Sequence, residues 1–264
     1  MLSSANIEYI KWDMNRALTD AASFCLDADR QGELFHRYVL GVYELQERLL
    51  RDFPGLLLEN CCSGGGRFDP GMLYYSPQIW TSDNTDAIDR LLIQEGTALL
   101  YPLSARGAHV AACPSHTNGR VTPFETRGLV SLPGCFGYEL DLTRLTDEEL
   151  TMIPDQLENY WKYGPVFHDG DCCRLASYSE NHEYDALMAV SKDKKIAVID
   201  YIHVMSRQQR RDVLLPLWGL DEETRYRSSE TGEIRSGAGW MYGGMLLPRM
   251  KGDFSGKLIV LEAV

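Results

Sequence analysis

The stretch LLLENCCSGGGRFDPGMLYYSPQIWTSDNTDAIDRLLIQEGTALL, residues 56–100, decides how this chain is read. Three leucines enter it as a buried strand, residues 78–81 supply another, and residues 85–99 take helical spacing behind a Ser82-Asp83-Asn84 start signal. Strands and helices alternating in this way make a parallel sheet with crossover helices. Outward from it the pattern continues. Residues 7–12 form an extended run, and residues 33–50 carry a helical stripe of Leu34, Tyr38, Val42, Leu45 and Leu49, stopped by Pro54-Gly55. Residues 107–112 and 136–140 bring the expected strands to five. Thr146 and Glu149 form a capping-box pattern that opens a helix towards Tyr163, which Gly164-Pro165 is expected to end.

Beyond that point the texture changes to short alternating runs at 185–190, 195–204 and 257–261, the mark of a small antiparallel β domain. The expected organisation is therefore an α/β region over residues 1–164 and an antiparallel β domain over residues 165–264.

Composition narrows the function. The formal charge of -12 opposes binding to nucleic acid, whose phosphates call for a basic face. With 24% charged residues, the chain holds no uncharged run long enough for a membrane span. The first residues lack the basic and apolar segments of a signal peptide, and seven cysteines make an odd number, so a reducing, cytoplasmic setting is expected.

Three unusual features each fall just after an expected strand: Asp13, the glycine-rich turn from Cys61 to Arg67, and Asp83. In barrels of alternating strands and helices the carboxyl ends of the strands carry the active site, so these features are expected to meet at one mouth. Two carboxylates in one pocket suit glycoside hydrolysis, one attacking the anomeric carbon or activating water, the other protonating the leaving oxygen. Strand alternation puts Lys11 on the same side as Asp13, where its charge favours the ionised carboxylate. Taken singly, each aspartate also fits an ordinary strand end or helix cap. Trp80 beside Asp83 and Asp86 adds a surface suited to a sugar ring.

Other chemistries fit less well. The glycine turn lacks the Lys-Ser/Thr ending or the G-x-G-x-x-G spacing of a nucleotide loop, and a plain tight turn does not account for Arg67. No C-x-x-C or H-x-x-x-H spacing points to a metal, and none is expected. Cys61 or Cys113 could be paired on paper with His109 or His116 as a nucleophile, and Trp240-Met241-Tyr242 could line a sugar surface, although core packing explains the latter more simply.

The motifs YIKWDMNR (9–16), ENCCSGGGRFDPGMLYYSPQIWTSDNTDAIDR (59–90) and SHTNGRVTPFETRG (115–128) resemble the bacterial α-galactosidases of glycoside hydrolase family 36. The resemblance runs over essentially the whole chain but matches only the later portion of the family's enzyme. It implies a partial (β/α)8 TIM barrel of about five βα units, roughly three short of closure, followed by a small antiparallel β-sandwich. It implies a retaining mechanism with Asp13 as nucleophile and Asp83 as acid/base, acting on melibiose- and raffinose-type galactosides without a cofactor. Lys11 and Asn15 would bind galactose hydroxyls and Cys61 would contact the sugar. Ser63, which stands where one family pattern has glycine, Arg67 and Trp80 would complete the substrate-binding set. The implied partners are the oligosaccharide and either a complementing N-terminal portion or a second copy. The alternatives within this resemblance are an inactive fragment, a galactose-binding remnant, or a galactosyl transferase of the raffinose-synthase type.

Overall fold

In the computed structural model, which describes residues 2–15, 18–61, 68–208 and 212–264, the chain divides into two compact units, Met1–Asp83 and Asn84–Val264. The first contains β1 (Tyr9–Trp12), α1 (Leu34–Asp52), β2 (Leu57–Asn60), α2 (Pro70–Tyr75) and β3 (Gln78–Ile79). Its strands form a parallel sheet in the order β1-β2-β3. Lys11 lies opposite Glu59 and Glu59 opposite Gln78, while the next row holds Trp12, Asn60 and Ile79. Pairing runs one step further, with Cys61 N donating to Trp12 O at 2.9 Å and Trp80 N to Asn60 O at 3.0 Å. The carboxyl ends of the three strands are thus level.

The helical stripe expected in α1 is present as sequence but not as core. Tyr38 and Leu45 are exposed, and the residue of α1 buried completely is Gln46. Its amide donates to Asn60 Oδ1 at 3.3 Å and accepts from Ser76 Oγ at 3.2 Å, and Asn60 in turn donates to Ser76 Oγ. Helix and sheet here meet through a satisfied polar network, which a count of apolar spacings does not register. Pro70 in the first turn and the Asp69 cap, which accepts from Met72 N at 2.9 Å, start α2.

The second unit begins with α3 (Ala87–Ala98), β4 (Gly107–Ala111), α4 (Phe124–Ser131), β5 (Cys135–Glu139) and α5 (Asp147–Asp169). It continues with β6 (Asp171–Ala176), α6 (Tyr178–Asn181), β7 (Tyr184–Val190), β8 (Ile196–His203), β9 (Leu214–Leu215) and β10 (Arg225–Ser228). Then come β11 (Ile234–Ser236), α7 (Gly237–Gly243), β12 (Met245–Leu246) and β13 (Ser255–Ala263). β4 and β5 pair in parallel, and six strands form an antiparallel sheet in the order β11-β10-β13-β8-β7-β6.

The capping box at Thr146 and Glu149 opens α5 as the sequence suggests, but Gly164-Pro165 does not end it; the helix runs on to Asp169 with Pro165 inside. Tyr163, Val166 and Phe167 flank that pair and are buried against Leu187, Ala189, Val198 and Val260 of the sheet. Burial of these side chains, at about 1.5–3 kcal/mol each, offsets the hydrogen bond that proline cannot donate. The opposite sheet face, with Met188, Val190, Ile199, Ile259 and Leu261, is covered by Leu217, Trp240 and Met245. With both faces covered, β7 and β8 read as largely apolar runs, interrupted by Asp185 and Asp200, rather than alternating ones. Trp240, whose Nε1 donates to Tyr226 O at 3.1 Å, is therefore core and not a sugar surface.

Candidate active site

Alternation along β1 gives Tyr9, Lys11 and Asp13 one face, and the parallel register gives the same face to Glu59 and Cys61 of β2. Lys11 is fixed there by two direct contacts and one indirect constraint. Its Nζ lies 3.5 Å from Glu59 Oε1 and 4.5 Å from the centroid of the Trp80 ring. Its third constraint is indirect, since Tyr9 OH donates to the other oxygen of Glu59. Glu59 is 2% exposed, whereas the Lys11 side chain is 36% exposed, so the carboxylate is the buried foundation and the ammonium the reachable end.

Asp13 follows β1 directly and is exposed. Its Oδ1 accepts from Met14 N at 2.8 Å and its Oδ2 from Asn15 Nδ2 at 2.9 Å. What little burial the group has raises its pKa, but hydrogen bonds from the Cys61 thiol, Asn15 and the Met14 amide, with the charge of Lys11, outweigh it and hold the carboxyl below its ordinary value. An anionic, accessible carboxylate at a strand end is what a nucleophile needs. Asn15, expected to bind substrate, spends its amide on orienting Asp13 in this arrangement.

Asp83 is exposed and accepts from Trp80 Nε1 at 3.1 Å. The helix cap expected of the Ser82-Asp83-Asn84 signal is supplied three residues later by Asp86, whose Oδ1 accepts from Ile88 N at 3.1 Å and Asp89 N at 2.9 Å. Asp83 thus has no structural task as an N-cap. Trp80, 2% exposed, holds it and faces Lys11 with its ring.

The structure therefore brings Lys11, Asp13, Asn15, Cys61, Trp80 and Asp83 into one connected set at the ends of β1, β2 and β3. Ser63, Arg67 and Arg16 lie outside the described residues. Sequence reasoning missed Glu59 and Tyr9, both detectable in principle because they stand two residues before Cys61 and Lys11 and so share their face. The cysteine-nucleophile reading gains nothing: the Cys61 thiol bonds to Asp13, and that of Cys113 faces Thr122 O at 3.6 Å. Among the described residues no group of three or more His, Cys, Asp or Glu is placed to hold a metal ion.

Comparison with known proteins gives a consistent picture. The Melibiase family model matches residues 1–170, and the model of the glycosyl hydrolase family 36 C-terminal domain matches residues 184–261. Alpha-galactosidase Mel36A of Lactobacillus acidophilus is 46% identical over 264 residues, which are 100% of this chain and 36% of that one. The crystal structure of the family 36 alpha-galactosidase AgaA from Geobacillus stearothermophilus superposes with a TM-score of 0.96 at 46% identity, covering 100% of this chain and 36% of that one. The galactosidase domain of the alpha-galactosidase-sucrose kinase AgaSK gives a TM-score of 0.92 at 42% identity, with 100% and 35% covered. The chain spans little more than a third of the length of these proteins. Its alternating parallel strands and helices are the later part of a (β/α)8 barrel, followed by an antiparallel β domain. AgaA variants have been solved with raffinose and with stachyose.

Proposed function

The chain belongs to the melibiase family of glycoside hydrolase family 36, and we propose that it is the portion of a retaining α-galactosidase that carries both catalytic carboxylates. Asp13 attacks the anomeric carbon of a terminal α-galactosyl unit while Asp83 protonates the departing oxygen, which leaves a β-galactosyl ester on Asp13. Asp83 then takes a proton from water, which opens the ester and releases galactose with its original configuration. In this reading Lys11, whose ammonium is the reachable end of its ion pair, binds sugar hydroxyls, Cys61 supports Asp13, and Trp80 positions Asp83.

The observation that carries this reading is that two exposed aspartates stand at the ends of β1 and β3 with different partners. Asp13 is held anionic, against its slight burial, by hydrogen bonds from Cys61, Asn15 and Met14 and by the charge of Lys11, while the indole N–H of Trp80 aims Asp83, which is not needed as a helix cap. The relatives support it. In AgaA the two aspartates replaced in the raffinose and stachyose complexes are separated by the same number of positions as Asp13 and Asp83.

In this reading residues 1–164 are the barrel portion and 165–264 the β domain, the catalytic protein includes further barrel units, and β1, which pairs with β2 alone among the described strands, offers its other edge to them. Melibiose- and raffinose-type oligosaccharides are the substrates, and a cytoplasmic setting agrees with the six free thiols among the described cysteines. Hydrolysis of nitrophenyl α-galactoside by the longer polypeptide, with NMR of the first-formed galactose anomer, tests the proposal: α-galactose supports it and β-galactose refutes retention. The second reading within the same resemblance is a galactose-binding remnant that keeps the motifs without turnover. Calorimetric binding of galactose without turnover by the longer polypeptide would favour that one.

A further inference from the structure

We infer that Glu59 is a positioning residue of this site, acting through Lys11. Buried carboxylates are costly unless paired and hydrogen-bonded, yet Glu59 is 2% exposed at the end of β2, in the sheet row that also holds Lys11. One of its oxygens meets Lys11 Nζ at 3.5 Å and the other accepts from Tyr9 OH. Tyr9 and Lys11 stand two residues apart on one strand face, so the carboxylate spans both from the neighbouring strand.

The consequence is geometric. A lysine ammonium is a flexible point charge that four single bonds would otherwise let swing. Here it is confined between the Glu59 carboxylate and the Trp80 ring 4.5 Å away. That confinement places the cation where it acts on Asp13, which Lys11 helps to hold anionic, and presents its remaining N–H groups to a ligand. Trp80 also donates to Asp83. One buried carboxylate therefore anchors the cation that connects the settings of both aspartates. Glu59 itself, closed off behind Lys11 and Tyr9, does not touch substrate.

This inference rests on the α-galactosidase reading for its kinetic consequence but not for its geometry, and the test separates the two. In the full-length enzyme, Glu59→Gln is expected to lower kcat/KM for nitrophenyl α-galactoside by about 10-fold, mostly through KM, and to have no further effect in a Lys11→Met background, because coupled residues are not additive. Tyr9→Phe should give a smaller loss in the same direction. Independently of turnover, acetylation of Lys11 by acetic anhydride, read by mass spectrometry, should be about 3-fold faster in Glu59→Gln than in the wild type while the melting temperature stays within a few degrees. Equal acetylation, or additive losses in Glu59→Gln/Lys11→Met, would overturn the inference. If Glu59→Gln does not fold, Glu59→Asp, which keeps the charge but shortens the reach, takes its place with the same two readouts. A wild type without galactosidase activity would refute the proposed function and leave the acetylation result to decide this point alone.

Discussion

Trp80 Nε1 donates a hydrogen bond to Asp83 Oδ1 at 3.1 Å, across three residues of the loop that follows β3. The indole is 2% exposed and the carboxylate is open, so a rigid donor holds a group that has no capping task in α3. Removing that donor leaves the carboxylate in place but loosely aimed. Trp80→Phe should lower kcat by about 10-fold or more on substrates with poor leaving groups, where protonation matters, and much less on nitrophenyl galactosides. Equal losses on both would show that Trp80 serves sugar binding instead of Asp83.

The two aspartates are expected to fail differently. Asp13→Ala should lower kcat about 10^4-fold, and Asp83→Ala about 10^2-fold to 10^4-fold. Azide, a nucleophile that needs no deprotonation, should rescue each variant with a different product. Asp83→Ala should give α-galactosyl azide by attack on the ester, and Asp13→Ala β-galactosyl azide by direct displacement. Mass spectrometry and NMR of the products check this assignment, and exchanged products would reverse it.

The acidic limb of the pH profile reports on Asp13. Its carboxyl is held below the ordinary value, so it stays anionic as the pH falls into the range where an unperturbed aspartate takes up a proton. Lys11→Met removes one of the lowering influences, and the acidic limb of kcat/KM should move to higher pH while KM rises. A limb that stays in place would mean that the ionisation of Asp13 is set by its hydrogen bonds alone.

In the first unit, Gln46→Ala should destabilise the fold by about 1–3 kcal/mol, because Asn60 and Ser76, both nearly inaccessible, lose a partner that water cannot replace. Urea denaturation measures it. A neutral result would show that the Asn60–Ser76 bond satisfies the site by itself.

In the second unit Asp200 lies inside β8 and is 5% exposed. Burial pushes its carboxyl well above the usual range, and neighbouring Asp185 adds to this against the pull of Arg174 and Arg106. The folded protein therefore keeps a proton that the unfolded chain releases above about pH 4. Its stabilising share is complete below that pH and is lost as the pH rises towards the folded value. Asp200→Asn imitates the protonated group, so its melting temperature relative to the wild type should climb between pH 5 and 8. A pH-independent difference would refute a protonated Asp200.

Much of this protein is written locally. The strand runs that became β1, β2, β4 and β5, the capping box of α5 and the glycosidase motifs around Asp13 and Asp83 depend on neighbours within a few residues, and such signals survive in one dimension. Packing decided the rest. Pro165 sits inside α5 because Tyr163, Val166 and Phe167 have a sheet to cover. Asp86 rather than Asp83 caps α3, a choice of three residues that only the path of the chain after β3 makes. Alternation sets Glu59 on the face of Cys61, but its pairing with Lys11 exists only once the parallel register puts the two side by side, since they are distant in sequence and their attraction requires the sheet to form first. The sequence by itself named the two carboxylates as candidates; the tertiary structure determined which side chains hold Asp13 anionic and which one aims Asp83.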